Sequence, residues 1–390
     1  MRSTALKITF AVILLPGVLT SSLKAQTADK INVVTTAVPF LRISPDARSG
    51  GMGDLSVATS ADAASSYFNL GKVPFNELNA GVNVTYTPWL KNLVNDVYLA
   101  SVAAFYKMDE LQAISGSLRY FSLGSIQFTN ENGQSLGSKN PREFGFQMGY
   151  SRRLSDQLGI GIGLKYINSN LASGTYNGAT YKPGSTVAAD LGLYYSGHNE
   201  AGQGWAFGAA LTNLGGKIGY TDNAEQKDFI PANLGLGTTY TKVIDESNKI
   251  SFGLDVNKLL VPTPPGQNAT QEQFDAYRKK SVVSSWMSSF NDAPDGFSEE
   301  LKEFQISVGA EYWYNNQFAI RAGYFHENET KGNRRYFTAG AGLKYNVFGL
   351  NFSYLAPTGS GVNQNPLSNT LRFSIVFDLG EGAGTTTTTE

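Results

Sequence analysis

The chain has 390 residues, enough for one large β-domain or two to three ordinary ones. Its 31 Lys and Arg against 32 Asp and Glu leave no strong field to attract nucleic acid or an acidic substrate. The absence of cysteine excludes a disulfide scaffold, a thiolate metal site, a cysteine nucleophile and a lipoprotein anchor. The counts of 42 Gly, 20 Tyr and 23 Phe point to a β-architecture with close packing and interfacial rings.

At the start, Arg2 and Lys7 precede the apolar run Ile8 to Leu19, and small residues lead to Ala25-Gln26, a signal-peptidase site. Residues 1–25 therefore read as a signal peptide, because the apolar run is far shorter than the ~20 residues of a spanning helix. Residues 26–75 read as a separate segment. Its core, "SPDARSGGMGDLSVATSADAASSYFNLGKVP" (Ser44 to Pro74), is rich in Gly, Ala, Ser and Asp and alternates poorly.

Alternation then takes over. In "LGIGIGLKYIN", Leu158, Ile160, Ile162, Leu164 and Tyr166 share one side and Gly159, Gly161, Gly163 and Lys165 the other, which is the period of a strand. The same reading gives about fourteen strands, near 78–88, 97–107, 111–122, 142–154, 158–168, 185–196, 204–213, 231–242, 248–259, 304–314, 317–327, 335–345, 348–356 and 369–379. Their length of about ten residues suits a tilted bilayer crossing. Short connections ("KMDEL", "SDQ", "NNQ", "NVF") alternate with long ones (Ser122 to Pro141, Ser169 to Gly184, Leu214 to Ile230, Leu260 to Glu303, Ala356 to Ser368). Outer-membrane barrels sort their periplasmic turns and outer loops in this way, whereas a soluble periplasmic sandwich has no reason to.

The fold expected is all-β: an antiparallel transmembrane barrel over 76–379, about 14-stranded, with an N-terminal plug-like segment and long extracellular loops. The last strand, "TLRFSIVFDL", sets Leu371, Phe373, Ile375, Phe377 and Leu379 against Arg372, Ser374, Val376 and Asp378 and serves closure, because an open edge in lipid costs several kcal/mol per unpaired group. The tail 380–390, ending "TTTTTE", reads as a flexible end.

The strand glycines Gly159, Gly161, Gly163, Gly340 and Gly342 lie at period two, outside any strand–GxGxxG–helix context, so they are no nucleotide site. They leave lumen space for the opening segment, which would bring Asp46, Arg48, Asp54 and Asp62 to a polar interior and Gly50, Gly51 and Gly53 to close backbone approaches. The only histidines, His198 in a periplasmic turn and His326 at the outer end of a strand, fall at opposite barrel ends and cannot form a dyad. Asp245-Glu246 and Glu299-Glu300 read as solvated loop charges, and no metal spacing occurs. We therefore expect no enzyme, no catalytic residue, no cofactor and no metal.

The outer loops carry the candidate partner-binding residues. Trp89, Leu90 and Leu93 of "TPWLKNLVND" stand near the membrane boundary. In the helical insert 261–303, Phe274, Tyr277, Val282, Trp286 and Phe290 follow helical spacing, with Met287 beside them.

"TTAVPFLRISPDARSGGMGDLSVATSADAASSYFN" (Thr35 to Asn69) resembles the N-terminal region of the PorV family of type IX secretion barrels, within the FadL-like transporter group. "TAVPFL", "PDAR", "GMGD" and "VATS" carry the resemblance, and strand count, length and "LLVPTPP" (Leu259 to Pro265) agree with it. FadL-like chains usually continue from Asn69 into Pro-Ala or Pro-Ser, where this chain has Leu70-Gly71. The resemblance implies a plug ending at Asn69 and an outer-membrane location. It further implies association with the type IX translocon barrel, with cargo C-terminal signal domains and with a sortase-like attachment complex, by binding and handover. The alternatives are a FadL-like channel for small hydrophobic molecules and an uninserted periplasmic protein.

Overall fold

In the computed structural model, described over residues 31–89, 96–129, 132–176, 179–222, 227–266, 269–358 and 369–380, the alternating segments are pleated strands. They are β1 (Ala80–Pro88), β2 (Val97–Lys107), β3 (Gln112–Leu123), β4 (Ile126–Thr129), β5 (Ser135–Lys139), β6 (Arg142–Arg153), β7 (Leu158–Asn170), β8 (Gly174–Tyr176), β9 (Ala179–Tyr181) and β10 (Gly184–His198). There follow β11 (Gly204–Gly215), β12 (Ile218–Gly219), β13 (Lys227–Asp228), β14 (Asn233–Val243), β15 (Asn248–Leu259), β16 (Gln305–Tyr314), β17 (Phe318–His326), β18 (Arg335–Tyr345), β19 (Phe348–Pro357) and β20 (Leu371–Leu379).

Fourteen of these close one antiparallel barrel in the order β1-β2-β3-β6-β7-β10-β11-β14-β15-β16-β17-β18-β19-β20, and β20 returns to β1 from Ala80↔Leu379 to Tyr86↔Phe373. Closure pairs both edge strands, as lipid requires. The other three pairs, β4–β5, β8–β9 and β12–β13, are ribbons within the long loops. Each expected strand lies within two residues of an observed one at both ends.

Outward positions are apolar and exposed, Leu164, Val187, Leu236 and Ile320 among them, as befits a lipid-facing wall. Aromatic rings gather near both rims. At the long-loop end Tyr98 lies between Tyr86 (5.5 Å) and Tyr120 (6.2 Å); at the short-turn end Trp205 meets Tyr240 (4.9 Å) and Phe348 meets Phe377 (5.4 Å). Two such girdles mark the interfaces of a bilayer. No helix among the described residues is long and apolar enough to span, which says nothing about a barrel.

Among the described residues the barrel ladder slips once, between β10 and β11, where Ala189 pairs with Leu214 but Leu191 with Leu211. Asn213 takes up the extra length with a left-handed backbone (φ 57°), and its N–H donates to Asp190 Oδ1 at 2.7 Å. The turn after β16 uses Asn315 and Asn316, both left-handed, which Asn tolerates better than most residues.

The segment ahead of β1 passes through the lumen. At the long-loop end, Asn32 N–H donates to the Thr330 carbonyl (3.0 Å), Ala37 N–H donates to Phe229 (2.9 Å), and Phe40 stacks on Phe121 of β3. At the short-turn end, Lys107 Nζ donates to the Asn76 carbonyl (3.2 Å). The proposed signal peptide, its Ala25-Gln26 site and the threonine tail lie outside the described residues.

Candidate functional site: the luminal segment and the outer helical insert

Residues 46–76 wind around the inside of the wall on a belt of strand glycines. Gly51 lies over Gly340 of β18, Met52 and Gly53 over Gly323 of β17 and Gly309 of β16, and Leu55 over Gly253 of β15. Val57 follows over Gly237 of β14 and Gly208 of β11, then Asn69 over Gly192 of β10, and Leu70 over Gly161 of β7 and Gly149 of β6. These are nine consecutive strands of the barrel order. A Cβ at Gly323 would stand 2.1 Å from the Met52 carbonyl carbon and 2.2 Å from the Gly53 nitrogen, so any side chain there excludes the segment.

Polar contacts then fix the segment at each level. Asp46 caps the single turn α1 (Ala47–Gly50) by accepting from Ser49 N–H at 2.8 Å, and it also accepts from Asn83 of β1 at 3.3 Å. Arg48 makes a two-pronged contact with Glu311 of β16 (2.9 and 2.7 Å) and a third bond to Asp62 (2.8 Å). Glu311 also accepts from Arg321 of β17 at 2.7 Å, so one carboxylate serves two guanidinium groups, that of Arg321 buried and that of Arg48 largely so.

Gly53 and Asp54 adopt left-handed backbone (φ 70° and 62°). Asp54 accepts the Tyr336 hydroxyl and pairs with Arg372 at 3.5 Å. Gly50 fits because a Cβ there would lie 2.4 Å from the Arg372 guanidinium. Asp255 of β15 accepts the Ser56 and Val57 N–H groups at 2.7 and 2.9 Å, and Asn69 donates to the carbonyls of Val57 and Leu193, each at 2.9 Å. Lys72, buried, donates to Ser56 O (2.8 Å) and Thr59 Oγ1 (2.9 Å).

All eight expected segment residues, Asp46, Arg48, Gly50, Gly51, Gly53, Asp54, Asp62 and Asn69, are therefore in luminal contacts, and Leu70-Gly71 continues as a 3-10 turn (Leu70–Phe75) on the walls of β7 and β10. Sequence reasoning missed their partners Glu311, Arg321, Arg372 and Asp255, together with Lys72. The available signal was a charge at inward parity in mid-strand, as in "ISVGAEYWY". Two luminal cavities flank the segment: one of about 130 Å³ toward the long loops, lined by Arg119, Asn213 and Arg334, and one of about 320 Å³ at the short-turn end, lined by Lys249, Trp313 and Asp378. They share no lining residue; Arg48 and Arg321, both bonded to Glu311, line the second.

The long loop after β15 folds into α2 (Gln271–Lys279), α3 (Val282–Ser288) and α4 (Phe297–Leu301). α2 opens with a capping box between Thr270 and Gln273, and the helical run breaks at Lys280-Ser281, where Ser281 caps α3. Glu299 and Glu300, expected as solvated charges, are buried instead. Lys258 pairs with Glu300 (2.7 Å) and Glu303 (2.8 Å), and Lys331 with Glu299 (2.6 Å) and Glu303 (3.0 Å), because the loop folds back onto the strand ends.

Burial raises the Glu299 carboxyl, but the Lys331 ammonium and the Asp295 N–H outweigh it and hold the group below its ordinary value of 4.5. Glu327, just beyond β17, is likewise held low: burial raises it, while Arg334 and Arg42 pull it down further.

The candidate loop residues divide. Trp89 packs half-buried on Phe121 at 5.0 Å, the ring on which Phe40 from the chain ahead of β1 also stacks. Tyr277 turns inward onto Phe229 (5.8 Å), and Phe274 and Trp286 are half-buried. Met287 (77% exposed) and Phe290 remain outside, joined by Val283, Phe297 and Leu301, which sequence reasoning passed over. Spacing of four places Val283 and Met287 on one face of α3, and Phe297 and Leu301 on one face of α4. Leu90 and Leu93 lie outside the described residues. His198 and His326 end strands at opposite rims, and among the described residues no three His, Asp or Glu side chains gather to hold a metal.

No curated protein matches the chain. Among solved structures, the Ralstonia pickettii toluene transporter TbuX aligns with TM-score 0.51 at 11% identity over 86% of this chain and 97% of its own. The Pseudomonas putida toluene transporter TodX aligns with TM-score 0.50 at 11% identity over 85% and 98%, and the monoaromatic hydrocarbon channel CymD with 0.50 at 12% over 87% and 98%. At such identities the likeness is one of fold alone, that of a closed antiparallel barrel. The family model described as "Type IX secretion system protein PorV" matches residues 25–266, more than half of the sequence. The chain belongs to the PorV family of type IX secretion system proteins.

Proposed function

We propose that this outer-membrane barrel works by binding and handover: docked at the type IX translocon barrel, it captures the C-terminal signal domains of exported cargo on its outer helical insert and delivers them to a sortase-like attachment complex, with no catalysis of its own. The observation that carries this reading is the division of the molecule into an occupied lumen and an apolar outer surface. The lumen holds an ion-paired segment seated on nine strands, while Val283, Met287, Phe290, Phe297 and Leu301 stand exposed outside. Exposed apolar anchors above a rigid base suit transient capture. In this plan residues 1–25 direct export and are removed, 26–75 form the plug, 76–379 the barrel with its insert at 261–303, and 380–390 a tail.

The fold of the toluene transporters favours a second reading, a channel for small hydrophobic molecules. Such a channel needs a continuous apolar path, and the two luminal cavities, each of mixed polar and apolar lining, have no residue in common. Affinity purification from native membranes, with the copurifying chains identified by mass spectrometry, separates the readings. The expected result is a very large barrel together with secreted proteins sharing one C-terminal domain. The double variant Met287→Asp/Phe297→Asp should lose the secreted proteins and keep the large barrel. A lone barrel carrying a bound hydrocarbon or fatty acid would replace this proposal with the channel.

A further inference from the structure

Outside the lumen, the lipid-facing wall carries a groove of about 580 Å³ crossing β6, β7, β10, β11 and β14, a volume typical of a small-molecule site. The strand register builds it. One ridge runs through the directly paired residues Arg152, Ile160, Leu193 and Ala209. The other runs through Tyr150, Ile162, Leu191, Leu211 and Leu234. Between them the floor is the backbone of Gly161, Gly192 and Ala210, and the first ridge drops to a single methyl at Ala209. The β11 bulge lies immediately beyond Leu211 and bends that strand at the flank of the groove.

Position and charge identify an occupant. Five strands at about 4.8 Å spacing make the groove about 19 Å long. Counted along the tilted strands at about 3.4 Å per residue, the lining rises from one residue above the periplasmic end of β6 at Arg152 to nine above that of β14 at Leu234, so the groove leads from the periplasmic rim past the ~15 Å half-thickness of the hydrocarbon core. It starts at Arg152, one residue from the periplasmic end of β6, and finishes at Leu234, one residue from the outer end of β14. Arg152 is the one cation of the lining; it is exposed, and no hydrogen bond or ion pair to its guanidinium group is found among the described residues. The Asp109 carboxylate in the neighbouring turn faces it, but that carboxylate is already engaged by the N–H groups of Leu111 (2.8 Å) and Gln112 (2.7 Å) and by the Gln112 side chain (2.7 Å).

We propose that the groove is a binding site for a phospholipid of the periplasmic leaflet: one acyl chain lies between the two ridges, and the phosphate sits on the Arg152 guanidinium. Apolar contact over the length of the groove supplies the affinity, and Arg152 selects the headgroup end and so the leaflet.

The test is native mass spectrometry of the protein in nonionic micelles doped with phosphatidylglycerol. The expected spectrum shows the barrel with one retained lipid. Ala209→Phe, which fills the groove from the lipid side, and Arg152→Glu should each lose that lipid, whereas Arg152→Lys keeps it; heat-modifiable migration verifies that every variant is a folded barrel. A wild-type protein that retains no lipid overturns the proposal, and so does retention unaffected by both Ala209→Phe and Arg152→Glu. Variants that keep the lipid but lose a copurifying membrane protein would assign the groove to a protein contact instead, which also overturns it.

Discussion

Replacing Glu311 by Gln removes the one carboxylate shared by Arg48 and Arg321 while keeping its shape. The side chains of Glu311 and Arg48 are 4% and 11% exposed, so the guanidinium groups cannot recover their hydration in place. Breaking a buried pair by removing one partner costs about 3–5 kcal/mol. The strands are held by their own ladders, so this loss should fall on the seating of the luminal segment. The chain lacks cysteine, and Ser66 is buried with a hydroxyl that has no hydrogen-bond partner, so Ser66→Cys is a quiet reporter. If labelling by a hydrophilic maleimide proceeds through opening of the segment, about 3–5 kcal/mol at about 1.4 kcal/mol per decade accelerates it by roughly two to three and a half orders of magnitude. Arg48→Met/Glu311→Gln should label more slowly than the sum of the single effects requires, because the two residues are in contact. Labelling of Glu311→Gln within about threefold of the reporter background, against the hundredfold expected, would show that this node does not hold the segment.

Four further outcomes follow from the same contacts. Gly323→Val places side-chain carbon within the Met52–Gly53 backbone and should unseat the segment at a cost of at least about 1–3 kcal/mol, read as faster Ser66→Cys labelling in a barrel that still shows heat-modifiable migration. With the long loops outside the cell, a membrane-impermeant thiol reagent on intact cells should label Ile31→Cys and spare Ser66→Cys; the reverse pattern would contradict the path of the chain through the lumen. Glu299 and Glu327 have carboxyls held below 4.5, so their contribution to the outer structure is present above that value and lost as pH falls through their lower folded values. Protease sensitivity of the insert should therefore rise only on the acid side of 4.5, and a rise on the alkaline side would contradict the assignment. Met287→Asp/Phe297→Asp, being on the surface, should change barrel stability by no more than about 0.5 kcal/mol per site, measured by thermal unfolding, while removing cargo from the pull-down.

The strands were legible because their signal is local. Period two in "LGIGIGLKYIN" or "TLRFSIVFDL" depends only on the alternation of successive side chains, and it set strand number, lengths, inward and outward faces and the sorting of short and long connections. The same local reading made the inward glycines a vacancy and the segment before the first strand its occupant. Pairings across hundreds of residues left no such trace. Arg48 meets Glu311 at a separation of 263 residues, and nothing in either neighbourhood names the other. Glu299 and Glu300 read as solvated because a charge in a loop usually is; only the folding back of that loop onto Lys258 and Lys331 buries them. Trp89 continues the inward parity of β1, but its packing partner Phe121, which also stacks on Phe40 of the segment entering at the long-loop end, could not be named from its own neighbourhood. Sequence alone thus determined the wall, because a wall is made by each strand's own alternation, and the tertiary structure alone decided which charges meet inside it and which apolar residues remain outside, because those depend on where distant segments converge.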